Sequence, residues 1–297
     1  MQTIGDTNNQ GMKRKRALDD ANPTKKEDEP TVTCATDKGH RYGNFHSYYN
    51  FNPPNARISL LQRKGRIMDY IVKAYSKPGG DDDDDKDTTF SYVDVGCNEG
   101  DLTVEIAKTL LEQWKKTSTG GPPSTIHATG MDLDPVLIDR AREKWSNVND
   151  DKDCNKKANI QVRFQEADIL SAETDALSAD LTSLFSTTMW IHIHGGDDGL
   201  RSVLKKLCNQ TKQFLLVEAQ PSKCYRSATM RLRKLGQPEV DVSTERLKLR
   251  SNIEEHIDTI VREHSFRRVE FQNEKDQEDK TQWNRSLRLY ERVETKT

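Results

Sequence analysis

The chain has 297 residues, and length alone allows one large domain or two small ones. A hydrophobic fraction of 33% and a charged fraction of 32% are low and high for a globular protein, which points to charged tails and loops around an ordinary core. No apolar run approaches the ~20 residues that cross a bilayer, and the polar start leads into Lys13-Arg14-Lys15-Arg16 rather than a signal peptide. A soluble, intracellular protein without a membrane partner is expected.

Five scattered cysteines (Cys34, Cys97, Cys154, Cys208, Cys224) form no CxxC pair and read as free thiols in a reducing compartment. His192 and His194 sit two apart, on one face if that segment is extended, but no third ligand lies nearby and no metal is expected. The net charge of −2 gives no global basic field. Locally, Pro221 to Arg250 carries eight cations against three anions, a net of +5, which suits either polyphosphate or a solvated helix face.

Residues 1 to about 38 are polar, charged and aperiodic, and read as a disordered tail. Lys13 to Arg16 with Lys25-Lys26 has the form of a split nuclear-import signal, so a cytoplasmic location, a nuclear one or both are open. An ordered domain over 39–297 is expected to follow. It opens with the aromatic stretch Tyr42 to Pro54 and a helix carrying Ile58, Leu61, Ile67, Met68, Ile71 and Val72, together about 42–76. Pro78-Gly79-Gly80 and the acidic run Asp81 to Asp85 read as an exposed linker.

From Phe90 strands and helices alternate. Phe90 to Val95 predicts a strand, and Leu102, Ile106, Leu110 and Trp114 mark one face of the next helix. Gly120-Gly121-Pro122-Pro123 breaks the chain before a strand from Ile126 to Met131. Asp134-Pro135 supplies the N-cap and first-turn proline of another helix. Beyond a charged loop (Asn147 to Asn159), strands are predicted at Ile160 to Phe164, weakly at Leu181 to Ser186, and clearly at Gln213 to Glu218. Helices are expected over Leu200 to Leu207, about 223–235 and about 252–264. Strands near Phe266 to Phe271 and Ser286 to Val293 can form an antiparallel edge pair. The alternation predicts an α/β fold with a doubly wound, mostly parallel sheet over 90–293.

Val93 to Gly100 reads strand, then Asp94-x-Gly96-x-x-x-Gly100, then helix. Glycines there let the backbone approach a ligand, and the helix start presents free N–H groups. Asp132, at the tip of the next strand, can accept hydrogen bonds from both ribose hydroxyls. It lies 32 positions past Gly100, and the Ser118 to Ser124 loop accounts for a spacing longer than the dinucleotide fold's. Asp168, after the following strand, is placed to meet an adenine amino group. Asn98 occupies the site where a pyrophosphate-binding turn has its second glycine, so S-adenosylmethionine is favoured over a nicotinamide cofactor.

Several blocks resemble the bicoid-interacting-3 domain family of RNA methyltransferases. They are Gly43-Asn44-Phe45 through Pro53-Pro54 with Arg57, Met189-Trp190-Ile191-His192 with Gly195 to Leu200, Leu216 to Tyr225, and Trp283-Asn284-Arg285-Ser286-Leu287. They keep the family's order over about 43–293. Tyr225-Arg226 and Arg231 to Gly236 look most like the branch that methylates RNA 5′ monophosphates, on histidine tRNA and microRNA precursors. Met189 stands where the triphosphate-capping branch has lysine, and Ser222 where the family usually has tryptophan.

The resemblance implies a class I S-adenosylmethionine-dependent methyltransferase fold, with Arg57, Asp94, Gly96, Asn98, Asp132, Asp168 and Ile169 around the cofactor. It also implies that Phe45, Tyr48 and Tyr49, with Trp190 and Tyr225, close over the site or line it toward substrate. His192, Lys223 and Arg226 are the candidates for gripping the phosphate. The expected partner is RNA with a 5′ phosphate, bound by a monomer. A 5′-triphosphate capping enzyme, a methyltransferase acting on a small molecule or protein, and an inactive RNA-binding module remain the alternatives.

Overall fold

Strands buried on both faces alternate with amphipathic helices, and this pattern builds one sheet. The computed structural model describes residues 46, 48–63, 67–75, 89–117, 123–150, 159–171, 178–234, 236, 241–271, 281 and 285–293. The described strands are β1 (Thr89–Val95), β2 (Thr125–Asp132), β3 (Asn159–Glu166), β4 (Ala179–Phe185), β5 (Thr211–Glu218), β6 (Phe266–Arg268) and β7 (Leu287–Arg292). Their order is β3-β2-β1-β4-β5-β7-β6. The first five strands pair in parallel, and β7 runs antiparallel to both β5 and β6. That order and polarity define the class I methyltransferase fold, as expected. The expected antiparallel edge is present too, although β6 stops at Arg268 rather than reaching Phe271.

The helices are α1 (Tyr48–Phe51), α2 (Pro54–Leu61), α3 (Ile67–Ala74), α4 (Asp101–Thr117), α5 (Pro135–Lys144), α6 (Thr188–Gln210), α7 (Lys223–Lys234) and α8 (Ile253–Glu263). Period-2 alternation along the strands sorts the core into two layers. Phe90, Tyr92, Phe214 and Leu216 face Leu61, Ile71 and Leu110 of α2, α3 and α4. Val93, Val95, Leu215 and Val217 face Leu200, Leu204 and Ile257 of α6 and α8. Covered on both sides, β4 and β5 show no polar-apolar alternation, which is the signature of a buried parallel strand. At the antiparallel edge, Arg288 of β7 ties down α8 through Glu254 and Asp258, each at 2.7 Å.

Asp134 and Pro135 start α5 as predicted, the Asp134 side chain accepting from the Val136 N–H at 3.0 Å. The helix predicted over Leu200 to Leu207 is longer. It begins at Thr188 and bends at Gly196, whose φ of 68° and ψ of −170° are non-helical. The segment with His192 and His194 is therefore helical, not extended, and the two rings point to different sides. The Gly195-Gly196 pair interrupts the helical pattern in sequence, which is why the first turns were not recognised. Gln220 holds that first turn: its Oε1 accepts from Thr188 Oγ1 and from the Met189 N–H, both at 3.0 Å. The backbone donor would otherwise be an orphan of the helix start.

The tail read over 1–38 with its basic clusters, the acidic run Asp81 to Asp85, and most of the loop Asn147 to Asn159 lie outside the described residues.

Three distant segments meet on one carboxylate. Glu218, at the end of β5 and fully buried, accepts from Arg57 of α2 at 2.5 and 3.1 Å and pairs with Arg285, just before β7, at 3.5 Å. Burial works against the Arg57 charge, but the Glu218 carboxylate more than offsets it and holds the guanidinium above its ordinary range. Glu218→Ala leaves two buried cations without this partner and is expected to cost about 3–5 kcal/mol in urea unfolding. A loss below about 1 kcal/mol would show that the network is not structurally required.

Candidate active site

The sheet changes winding direction between β1 and β4: the chain runs from β1 outward to β3, then returns to the other side of β1. A crevice opens at such a switch point beyond the strand C-termini. Here it is a cavity of about 590 Å³, within the size range of small-molecule sites.

One wall is the turn after β1. Gly96 and Gly100 have φ of +80° and +81°. A Cβ on Gly96 would lie 2.2 Å from Thr187 Oγ1, and one on Gly100 would lie 2.4 Å from the Phe164 ring. Only glycine lets this turn pass so close to its neighbours. The N–H groups of Gly96 and Cys97 both donate to the Met131 carbonyl (2.8 and 2.9 Å), locking the turn to β2. Asn98 adopts a left-handed φ of 55°, which its short polar side chain tolerates, and its N–H donates to Asp132 Oδ2 at 2.9 Å. Asp94 lines the floor but is buried and engaged: it accepts from Thr103 Oγ1 at 2.6 Å and Ser183 Oγ at 2.7 Å. It pins α4 and β4 to the turn.

Asp132 stands at the tip of β2 as predicted. Besides Asn98, the N–H of Asp134 donates to its Oδ1 at 3.0 Å. Burial pushes its carboxyl up to about 6, although those two N–H groups pull the other way. Each oxygen retains a lone pair, so the group suits a ligand with two vicinal hydroxyls. Asp168 and Ile169 line the neighbouring wall, and Asp168 Oδ1 accepts from the Leu170 N–H at 2.9 Å. The glycine cradle, the paired acceptor and this slot fit an adenosyl cofactor.

Tyr48 and Tyr49 of α1 line the cavity, their rings edge to face at 5.3 Å. Tyr49 Oη donates to the Cys97 carbonyl at 3.2 Å, which ties α1 to the glycine turn. Tyr48 Oη accepts from Arg57 Nη2 at 2.7 Å. Phe45, the third member of that aromatic group, lies outside the described residues.

The opposite end of the cavity differs chemically. Trp190 and His194, one turn apart on α6, stack with centroids 6.3 Å apart and planes 22° apart. The Arg231 guanidinium of α7 sits 5.5 Å from the Trp190 ring centroid. Arg231 and Arg285 line the same cavity. Burial pushes Arg231 down to about 10, and repulsion from Arg285 adds to the effect. Two guanidiniums that repel each other beside a flat aromatic pair form a site for an anion attached to a planar group.

Several predicted residues are placed elsewhere. Arg57 is buried behind the wall, reaching the cavity through Tyr48 and through Ser186 Oγ at 3.0 Å. His192, expected at the phosphate, is fully buried, its Nδ1 against Tyr225 Oη (2.8 Å) and its Nε2 against Asp197 Oδ1 (2.7 Å). Burial also lowers its basicity despite Asp197. Tyr225 is equally buried, its hydroxyl against His192. Lys223 and Arg226 do not line this cavity, because α7 turns them into a second one. Arg231, Arg285 and His194 line the cavity without having been singled out by the sequence. Arg231 was part of the basic stripe and Arg285 of the closing block, so their presence was visible but not their direction.

The raised Asp132 carboxyl carries a pH signature. A ligand that donates hydrogen bonds to the carboxylate binds the ionised form. Affinity is therefore full above about pH 6 and falls about tenfold for each unit below it. Calorimetric titration of S-adenosylhomocysteine across that range should show this slope, and Asp132→Asn should flatten it while weakening binding. A slope that persists in Asp132→Asn would assign the titration to another group.

Residues 179–292 match the family model described as Bicoid-interacting protein 3 (Bin3). The chain is 36% identical over 257 residues to the pre-miRNA 5′-monophosphate methyltransferase of Xenopus laevis, covering 84% of this chain and 91% of that one. It is 35% identical over 260 residues to the Danio rerio protein of the same name, covering 84% and 92%. It is 30% identical over 268 residues to the RNA 5′-monophosphate methyltransferase of Homo sapiens, covering 86% and 81%. Among solved structures, N-methyltransferase NodS of Bradyrhizobium japonicum with S-adenosyl-L-homocysteine aligns with a TM-score of 0.46 at 15% identity, covering 85% of this chain and 95% of that one. With relatives this similar along most of their length, the chain belongs to the Bicoid-interacting protein 3 (Bin3) family.

Proposed function

We propose that this protein transfers a methyl group from S-adenosylmethionine to the 5′ monophosphate of a small RNA. The carrying observation is that one cavity is lined both by Gly96, Asp132 and Asp168, which suit an adenosyl group, and by the cationic aromatic set Trp190, His194, Arg231 and Arg285. The relatives named above act on RNA 5′ monophosphates by their names, which agrees with the second set.

Bound S-adenosylmethionine supplies an electrophilic methyl group, and S-adenosylhomocysteine remains after transfer. The protein's contribution is positioning. A phosphate monoester has a second pKa near ~6, so its oxygen is already an anionic nucleophile at neutral pH and no general base is required. Arg231 and Arg285 hold that phosphate by charge and forked hydrogen bonding. The Trp190–His194 pair offers a face for the first base to stack on. Fixing the acceptor oxygen against the methyl donor converts an encounter into a unimolecular step, an effect of up to roughly 7–11 kcal/mol. The Tyr49 ring and the glycine turn close the adenosyl end.

The reading is tested with one RNA carrying a 5′ hydroxyl, monophosphate or triphosphate and labelled cofactor. The monophosphate is expected to be the preferred acceptor and the hydroxyl inert. Preference for the triphosphate would make this a capping enzyme, and equal turnover without RNA would remove RNA from the reaction. Arg231→Ala should lower kcat/KM for the monophosphate RNA by roughly 10- to 100-fold, the loss expected for one charged hydrogen-bonding partner. Its affinity for S-adenosylhomocysteine should hold.

A further inference from the structure

Helix α7 is a partition between two cavities. Successive residues turn by about 100° around a helix, so its Cys224, Ser227 and Arg231 face the methyl-transfer cavity while Lys223, Arg226, Met230 and Arg233 face the next one. This second cavity has a volume of about 520 Å³ and is closed on its far side by Asp241, Val242, Ser243 and Arg250.

Its chemistry is one-sided. Lys223, Arg226, Arg233 and Arg250 contribute four cations, and Asp241 is the single carboxylate among its lining residues. That carboxylate is turned to its own loop, accepting from the Ser243 N–H at 2.8 Å. Arg250 is held in place: its Nη1 donates to the Val242 carbonyl and its guanidinium lies 5.9 Å from the Tyr225 ring centroid. Yet its buried Nε meets no acceptor among the described residues. A buried donor without an acceptor is costly, and the rest of the Arg250 side chain contributes its charge to the lining. Met230, 56% exposed, stands among these cations and offers an apolar surface for a base or sugar.

We infer that this outer cavity binds the phosphodiester backbone of the substrate RNA downstream of its 5′ end, with α7 as the wall over which the strand passes. The inference rests on the proposed function only for the identity of the polymer. Lys223 to Arg233 spans about 15 Å along the helix axis, so these cations are spread along the wall over a length that can meet more than one phosphate of a strand. Two cavities sharing one wall separate two tasks: Arg231 and Arg285 recognise the end, and the outer cations hold the chain. Contacts of the second kind carry no sequence information, and they set affinity and its salt dependence.

The test measures binding rather than turnover. Fluorescence anisotropy across a salt series compares the full chain with Arg226→Ala/Arg233→Ala, using one RNA with a 5′ hydroxyl and the same RNA with a 5′ monophosphate. The double variant is expected to bind both RNAs roughly tenfold more weakly. Its log–log salt slope should be shallower by about 0.7 for each phosphate contact removed. Calorimetric affinity for S-adenosylhomocysteine serves as the control for folding, and the single variant Arg226→Gln, on an exposed side chain, repeats the measurement with less disturbance. Unchanged RNA affinity and slope in correctly folded variants would overturn the inference, as would a loss confined to the monophosphate RNA. The outcomes separate from those of the methyl-transfer assay. Wild-type protein that methylates the monophosphate, with variants that bind RNA normally, removes the outer site and keeps the function. RNA binding that depends on Arg226 and Arg233 without methyl transfer does the reverse.

Discussion

A carboxylate that never reaches solvent organises this molecule. Glu218 closes β5 out of reach of solvent, and its carboxylate is met there by Arg57 and Arg285, which arrive from opposite ends of the described chain. Each guanidinium then has hydrogen-bonding capacity to spare. Arg57 uses it to hold Tyr48 and Ser186, so the aromatic α1 is seated over the cofactor turn. Arg285, fixed through the same Ser186, is left at the edge of the cavity as a preset cation. One buried ion pair network thereby couples the N-terminal helices, the central sheet and the antiparallel edge to the site.

The two ends of the cavity are held in opposite electrostatic strain. At the adenosyl end, burial raises the Asp132 carboxyl toward neutrality. At the other, burial and mutual repulsion lower Arg231. A ligand with hydroxyl donors relieves the first and an anion relieves the second, so each end favours the chemistry that its own strain lacks. His192 takes no part in this directly. Bonded on both nitrogens, it joins α6 to α7 through Tyr225 and to the 248–250 turn through Asp197, and so keeps Trp190 and Arg231 facing each other.

Much of the cofactor end was legible residue by residue. Gly96 and Gly100 announce a close backbone approach, Asp132 follows at a strand tip, and Asp134-Pro135 marks the helix beyond it. These are local signals, read within one strand–turn–helix unit. The cationic part of the cavity was not legible in the same way. Lys223, Arg226 and Arg231 are equivalent as charges in a stripe, and only the turn of α7 about its axis separates the residue that faces the first cavity from those that face the second. The burial of His192 was hidden for a related reason: two glycines mask the first turns of α6, and on that helix His192 and His194 lie on different sides.

The amino-acid sequence by itself determined the alternating α/β fold, the glycine turn with Asp132 at the next strand tip, and the family, because each depends on neighbours in the chain or on ordered blocks of residues. Only the tertiary structure decided which cations share a cavity, that Arg57 serves Glu218 behind the wall, and that α7 divides one basic stripe between two cavities. Those outcomes depend on helix rotation and on packing between segments more than a hundred residues apart, and the order of residues does not encode them locally.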